Sequence, residues 1–297
     1  WTFRKAPKFF DVVTWTGDGV AGREIAHNLG SVPGMVMVKR TDAATIWPVY
    51  HMGVNGGTNP ENYILYINGT ASQIDNNTYW NDTAPTDSVF TIGTNTNVNA
   101  SGGTYIAYVF AHNDGDGGFG PDGDADIIKC GSYTGSGADN NFIDIGFEPQ
   151  WLLTKRTDST GNWNLVDNMR AFTSKPSSGA GAGDYSLRLR ANTTSAESQY
   201  WQQHVDASGV ILDSANGDSN ASGGSYVYIA IRRGTKVPES ATEVFEPIQA
   251  VASGAGNPAF VSTFTTDAAI FLYPNGGTSY PKISSSLTGA TFLETHS

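Results

Sequence analysis

Three aspartates alternate at Asp122, Asp124 and Asp126, inside a Gly- and Asp-rich run from Asn113 to Asp126. Alternating carboxylates are how a calcium loop gathers hard oxygen ligands, so these three are the candidate metal ligands, with Ca2+ the one cofactor they suggest. The rest of the run does not complete such a loop. Counted from Asp122, the sixth position is Ile127, where the sharp turn demands Gly, and the twelfth is Tyr133, where a bidentate Glu belongs. Counted from Asp114, the twelfth is Ala125. Asp in such a run also closes Asx turns without any metal, so a solvated Gly/Asp linker is the simpler reading.

Other chemistry is weaker still. His27, His51, His112, His204 and His296 form no short-spaced pair of the kind that holds zinc. No Gly-x-Ser-x-Gly elbow marks a nucleophilic serine. Carboxylates such as Asp144 and Glu148 are plentiful, but no pair stands apart as the acid and base of a glycosidase. The expectation is a non-enzyme. Binding is better served by aromatics in polar surroundings. In Asp75-Asn76-Asn77-Thr78-Tyr79-Trp80-Asn81-Asp82, ring faces could stack on a sugar while amides and carboxylates bond its hydroxyls. Ser198-Gln199-Tyr200-Trp201-Gln202 is the matching run further on. Tyr79, Trp80, Asn81, Tyr200 and Trp201 are therefore the candidate ligand contacts, against the alternative that a twice-occurring Tyr-Trp pair is core.

The elements that must position these residues come in copies. Lys39-Arg40-Thr41-Asp42 recurs as Lys155-Arg156-Thr157-Asp158, Pro33 as Pro149 and Trp47 as Trp163, all at the same spacing. Trp15-Thr16-Gly17-Asp18-Gly19 answers Tyr133-Thr134-Gly135-Ser136-Gly137, and Asn99-Ala100-Ser101-Gly102-Gly103 answers Asn220-Ala221-Ser222-Gly223-Gly224. The drift in spacing along the copies calls for an insertion, for which Ser177–Gly183 is the natural place. The recurring residues are Gly, Pro, aromatics and a charged strand end, which build a fold more readily than an active site. Lys39-Arg40 and Lys155-Arg156 read as strand-end charges that discourage edge pairing, with an acidic-glycan contact as the alternative.

Each copy alternates short apolar strands with Gly, Asn and Pro turns, and Thr104–Ala111 reads as a buried, central strand. The expectation is an all-β fold with little helix, made of tandem β-sandwich or jelly-roll-like repeats of roughly 110 residues. The boundaries are 1–8 for the end of a preceding unit, 9–112 for the first sandwich, 113–126 for the linker, 127–234 for the second sandwich, and 235–297 for a linker and incomplete third unit. In that third unit Asp267–Leu272 stands for the apolar strand and Thr278-Ser279-Tyr280 for the Trp strand. Both ends look like cuts inside recognisable strands.

Composition supports this. Of 297 residues 35 are Gly and 15% are charged, which suits many turns between half-buried strands. A net charge of −11 argues against nucleic acid, which needs clustered cations, and against an anionic membrane surface; no apolar run suggests membrane insertion. Cys130, the single cysteine, excludes an intrachain disulfide and reads as a small buried hydrophobe.

Several longer runs resemble the tail-fibre-like proteins of bacteriophages, including marine ones. They are Trp1–Val13, Leu29–Met35, Gly118-Phe119-Gly120, Cys130–Gly135 and Gly146–Trp151. The resemblance covers nearly the whole chain and implies a virion (tail) or extracellular setting, contact with a host surface, and extended trimeric relatives. The partners it implies are further copies in a homo-oligomer, a trimer by preference, other virion tail proteins, and a host-surface glycan. It implies no catalytic residue. The function expected is a structural segment of a phage tail fibre or similar virion appendage. The alternatives are a carbohydrate-binding lectin-like module, a capsule-degrading tailspike, and a bacterial surface adhesin or filament.

Overall fold

The computed structural model describes residues 2–120, 122–170, 172, 186–200 and 203–232, together with three short strands between 268 and 294. The first repeat contains β1 (Phe10–Thr16), β2 (Arg23–Ala26), β3 (Pro33–Arg40), β4 (Pro48–His51), β5 (Tyr63–Tyr66), β6 (Ile74–Asp75), α1 (Asn77–Trp80), β7 (Val89–Ile92), α2 (Thr96–Asn99) and β8 (Thr104–Ala111). The second contains β9 (Ile128–Thr134), β10 (Asn141–Asp144), β11 (Trp151–Arg156), β12 (Trp163–Asp167), β13 (Ser186–Arg190), β14 (Ser198–Tyr200), β15 (Gln203–Asp206), β16 (Gly209–Leu212) and β17 (Ser225–Ile231).

Each repeat is a two-layer sandwich with the same wiring. A six-stranded sheet runs β1-β8-β3-β4-β5-β6 in the first and β9-β17-β11-β12-β13-β14 in the second. The covering sheet is β2-β7 in the first and β10-β16-β15 in the second. The strand read as central is central: β8 lies between β1 and β3, and β17 between β9 and β11. Their β-branched and aromatic residues suit a strand buried on both faces.

Matched residues do matched work. Trp15 stacks on Tyr105 with ring centroids 5.3 Å apart, and Tyr133 stacks on Tyr226 at 4.9 Å. The Tyr105 hydroxyl accepts from the Ala100 N–H at 2.7 Å and donates to the Thr96 carbonyl at 2.8 Å. Tyr226 repeats both bonds with Ala221 and Gly217 at 2.9 and 3.0 Å. The Lys-Arg-Thr-Asp run is a clamp. Arg40 grips Asp42 through two bonds of 2.8 and 3.0 Å, and Arg156 grips Asp158 at 2.9 and 3.1 Å. Each aspartate also accepts the N–H that opens the central strand, from Thr104 or Ser225. Gly17 and Gly135 are required by close approach: a Cβ there would sit 2.1 Å from the Ala100 oxygen or 2.2 Å from that of Ala221. Gly30 and Gly146 turn the chain toward Pro33 and Pro149 with φ of 64° and 87°.

The two repeats are not beads on a linker. Residues 1–235 form one compact unit. One apolar cluster runs from Phe10, Met35 and Phe110 of the first repeat to Ile128, Cys130, Leu153, Trp163 and Ile229 of the second. A smaller cluster around Val166, Leu212 and Tyr228 fills the second sandwich. Strand alternation explains the division. On β17, Tyr226, Tyr228 and Ala230 face the repeat's own covering sheet, while Val227, Ile229 and Ile231 face the first repeat. The large sheets therefore pack through the sides turned away from their covering sheets.

At the head of the Gly/Asp-rich segment, Asn113 ties the two repeats together. The Asn113 side chain is fully buried; its oxygen accepts from Ile127 and Ile128 at 3.1 and 3.2 Å, and its amide donates to the Lys8 carbonyl at 2.9 Å. The expected insertion site, Ser177–Gly183, lies outside the described residues. Asn68 and Asn192 accept the N–H of Trp47 and Trp163 respectively. Residues 236–297 form a second compact unit. There β18 (Ala268–Phe271), β19 (Lys282–Ser285) and β20 (Leu293–Glu294) make an antiparallel meander, connected as β3-β4-β5 and β11-β12-β13 are. The expected substitute for the Trp strand, Thr278-Ser279-Tyr280, lies outside the described residues.

Candidate functional site: the seam between repeats and the adjoining groove

Tyr79 and Trp80, picked for sugar stacking, do not present a platform. Tyr79 and Trp80 are 3% and 2% exposed, so their faces are spent on the core; Trp80 meets Tyr50 edge-on at 6.1 Å. This corrects the ligand-contact reading of Tyr79 and Trp80, and the cause is local. Asn76 caps α1 by accepting the Thr78 N–H at 3.0 Å, and the single turn that follows swings both aromatics inward. Asn81 ends that turn at φ 55°, its N–H on the Asn77 carbonyl, as Asn does in a left-handed cap. Tyr200 ends β14, and Trp201 lies outside the described residues.

The aspartates are divided in the same way. Asp126 accepts the N–H groups of Gly115 and Gly117 at 2.8 and 3.1 Å. Asp122 and Asp124 are exposed. Among the described residues no group of three or more His, Cys, Asp or Glu converges as a metal site would require.

What the structure assembles instead is the seam, built from isolated polar groups set in apolar sheet faces. His51, fully buried, bonds the Tyr228 carbonyl of the second repeat at 2.9 Å through Nε2 and accepts the Gly53 N–H at 3.0 Å through Nδ1. Because Nδ1 accepts, Nε2 carries the proton. Burial pushes the His51 pKa down to about 4, so the ring is neutral. Lys155 is also fully buried. Its ammonium donates to the Thr70 carbonyl at 3.3 Å and to its own neighbour Arg156 at 2.6 Å. Burial lowers its pKa to about 8. Trp163 Nε1 donates to the Tyr66 carbonyl at 2.7 Å. Two backbone bonds complete the join, Gly161 N–H to Thr70 at 3.0 Å and Gln73 N–H to Thr157 at 2.8 Å. Cys130 is buried against Gly34, and burial pushes its thiol up, away from reactivity.

Beside the seam an open groove of about 690 Å³ is lined by Lys8, Tyr50, Met52, Asp87, His112 and Asp116, among others. Val32, also on its wall, is 52% exposed. Lys8 donates to the Asp116 carbonyl at 2.6 Å, and Lys129 pairs with Asp114 at 3.0 Å. The groove thus offers carboxylate acceptors and an apolar wall, a mix that suits hydroxyl-bearing ligands. Neither seam nor groove was legible as a site, since both join residues distant in sequence and of ordinary type.

Among the described residues no helix is long and apolar enough to cross a membrane. No curated protein and no solved structure matches the chain. A family model does match, over residues 6–233, and that span takes in both sandwiches, the seam and the groove. The chain belongs to the family described as a domain of unknown function, DUF7483.

Proposed function

We propose that this chain is a non-enzymatic structural segment of a phage tail fibre or similar virion appendage, and that it contributes to host-surface attachment. The observation that supports this best is the use made of the recurring residues. Arg40/Arg156, Asn99/Asn220, Gly17/Gly135 and Tyr105/Tyr226 hold the same positions in two sandwiches, and each closes a turn or packs a core. Repetition of structural groups builds length and stiffness, and many weak contacts along an appendage add through effective concentration. Host contact on these repeats goes through the groove, where Asp87 and Asp116 accept sugar hydroxyls beside the apolar wall of Val32 and Met52.

The test is adsorption. Particles whose genome carries this sequence are offered host cells with and without the purified chain. Competition by the chain, weakened by Asp87→Ala with Asp116→Ala, is the expected result. A chain that neither competes nor appears on virions by immunogold labelling defeats the reading.

A further inference from the structure

Beside the packing of sheet on sheet, the seam has a hairpin contact that is one-sided. The first repeat contributes its β5–β6 hairpin loop to it, and the second contributes the Lys155/Trp163 face of its large sheet. Tyr66, Thr70 and Gln73 supply the hairpin's bonds to that face. Each repeat carries both surfaces, so the reciprocal two remain. One is the face around Lys39, Thr45 and Trp47, which the wiring makes equivalent to Lys155, Gly161 and Trp163. There Lys39 and Trp47 are only half-buried, and the ammonium lies 5.0 Å over the indole ring. Lys155 and Trp163, by contrast, are 0% and 1% exposed. The other surface is the β13–β14 hairpin loop, residues 191–197. Asn192 fixes its equivalence to the first loop, because it takes the Trp163 N–H as Asn68 takes that of Trp47. Arg190, Thr194 and Glu197 then stand where Tyr66, Thr70 and Gln73 stand, and all of 193–197 is exposed.

We infer that a second copy of this chain docks head to tail, with the 191–197 hairpin of one copy on the Lys39/Trp47 face of the next. An interface that uses two different surfaces is heterologous, so each bound copy still presents a free face and a free hairpin. Such contacts propagate into a ring or a filament. The occupant is a copy of the chain because the in-chain seam already shows that a hairpin of this wiring fits this face. The Trp47 ring, capped by its own lysine, is poorly placed for stacking on a sugar. Docking moves that ammonium from the ring to the Thr194 carbonyl, as Lys155 bonds that of Thr70. Nothing here depends on a virion setting, so a chain that fails the adsorption test can still show this association.

The experiment uses the full chain with paired cysteines. The Gly161 N–H bonds the Thr70 carbonyl at 3.0 Å, so the equivalent Thr45→Cys and Thr194→Cys come within disulfide reach in the docked pair. The native Cys130 is buried and stays silent. Thr45→Cys and Thr194→Cys chains are mixed and mildly oxidised. The expected result is a cross-linked dimer at least about tenfold above that from either variant alone, and lost when Trp47→Ala is added to the Thr45→Cys chain. Cross-linking no greater than that with Ser208→Cys as the partner overturns the inference. Should a cysteine disturb folding, sedimentation of the wild type against Lys39→Glu decides: the wild type associates with rising concentration and Lys39→Glu shifts it by about tenfold. A wild type that stays monomeric, or whose Trp47 fluorescence responds to a saccharide instead, refutes the docking.

Discussion

Lys155 and Lys39 hold the same position in the two repeats, and only Lys155 is fully buried. Replacing Lys155 by Met should therefore change how stability depends on pH. Burial lowers the Lys155 pKa from 10.5 to about 8 in the folded chain. Below the folded pKa both states are protonated and the group adds no slope. Between the two values the unfolded chain binds the extra proton, so stability rises with pH. The full gap is worth about 3 kcal/mol. Between about pH 7.5 and 9.5 the rise amounts to about 2 kcal/mol. At neutral pH the Met variant sheds this charge penalty but leaves the Thr70 and Arg156 carbonyls short of a donor, at about 1 kcal/mol each, so it should be about as stable as wild type or slightly more. The assay is urea denaturation of wild type and variant across that window, read as the difference between them. Taking the difference cancels the tyrosines, which burial pushes up at Tyr50, Tyr66 and Tyr228 and which would lower stability at higher pH. A difference that does not change with pH would refute a desolvated ammonium at the seam.

His51 should act at the acid end: its pKa falls from 6.5 to about 4, so the unfolded chain protonates first and stability is lost as pH falls through that interval. The loss is about 3 kcal/mol and should vanish from the pH profile of His51→Gln, measured by denaturation against wild type. Asn99 donates to the Val20 and Gly93 carbonyls at 2.8 and 3.0 Å and accepts the Asp18 N–H at 3.0 Å. Asn99→Leu strands all three backbone groups and should cost about 3 kcal/mol by urea titration, and Asn220→Leu a similar amount. Gly17→Ala drives a methyl to 2.1 Å from a backbone oxygen and should cost at least about 2 kcal/mol. Gly30→Ala meets no atom within 4 Å and should cost only the left-handed backbone, about 1 kcal/mol, and thermal melting should rank the two.

The strands along each repeat and the burial of the central one could be read from the sequence because apolar alternation and turn residues act locally. The repeat added what a single copy could not: the same Arg-Asp clamp and the same stacked rings appear twice. Tyr79 and Trp80 lie in the core for an equally local reason. Asn and Thr around Tyr79-Trp80 suggest a surface, but here they cap a single turn and bond backbone, and that turn sends both rings into the core. Polar neighbours in sequence report the polarity of the chain, not the direction of a side chain.

The seam fails to show in the sequence for a different reason. Lys39-Arg40-Thr41-Asp42 and Lys155-Arg156-Thr157-Asp158 are identical, and both are followed by a Trp at the same spacing. Yet Lys155 is buried and bonded across repeats, whereas Lys39 lies over its own Trp47. Identical residues at the ends of equivalent strands differ in what packs against them. A lysine tolerates both settings, because its stem packs against apolar surface while its head seeks either water or a carbonyl. The position can thus serve as a covered joint in one repeat and an open one in the other without changing a residue.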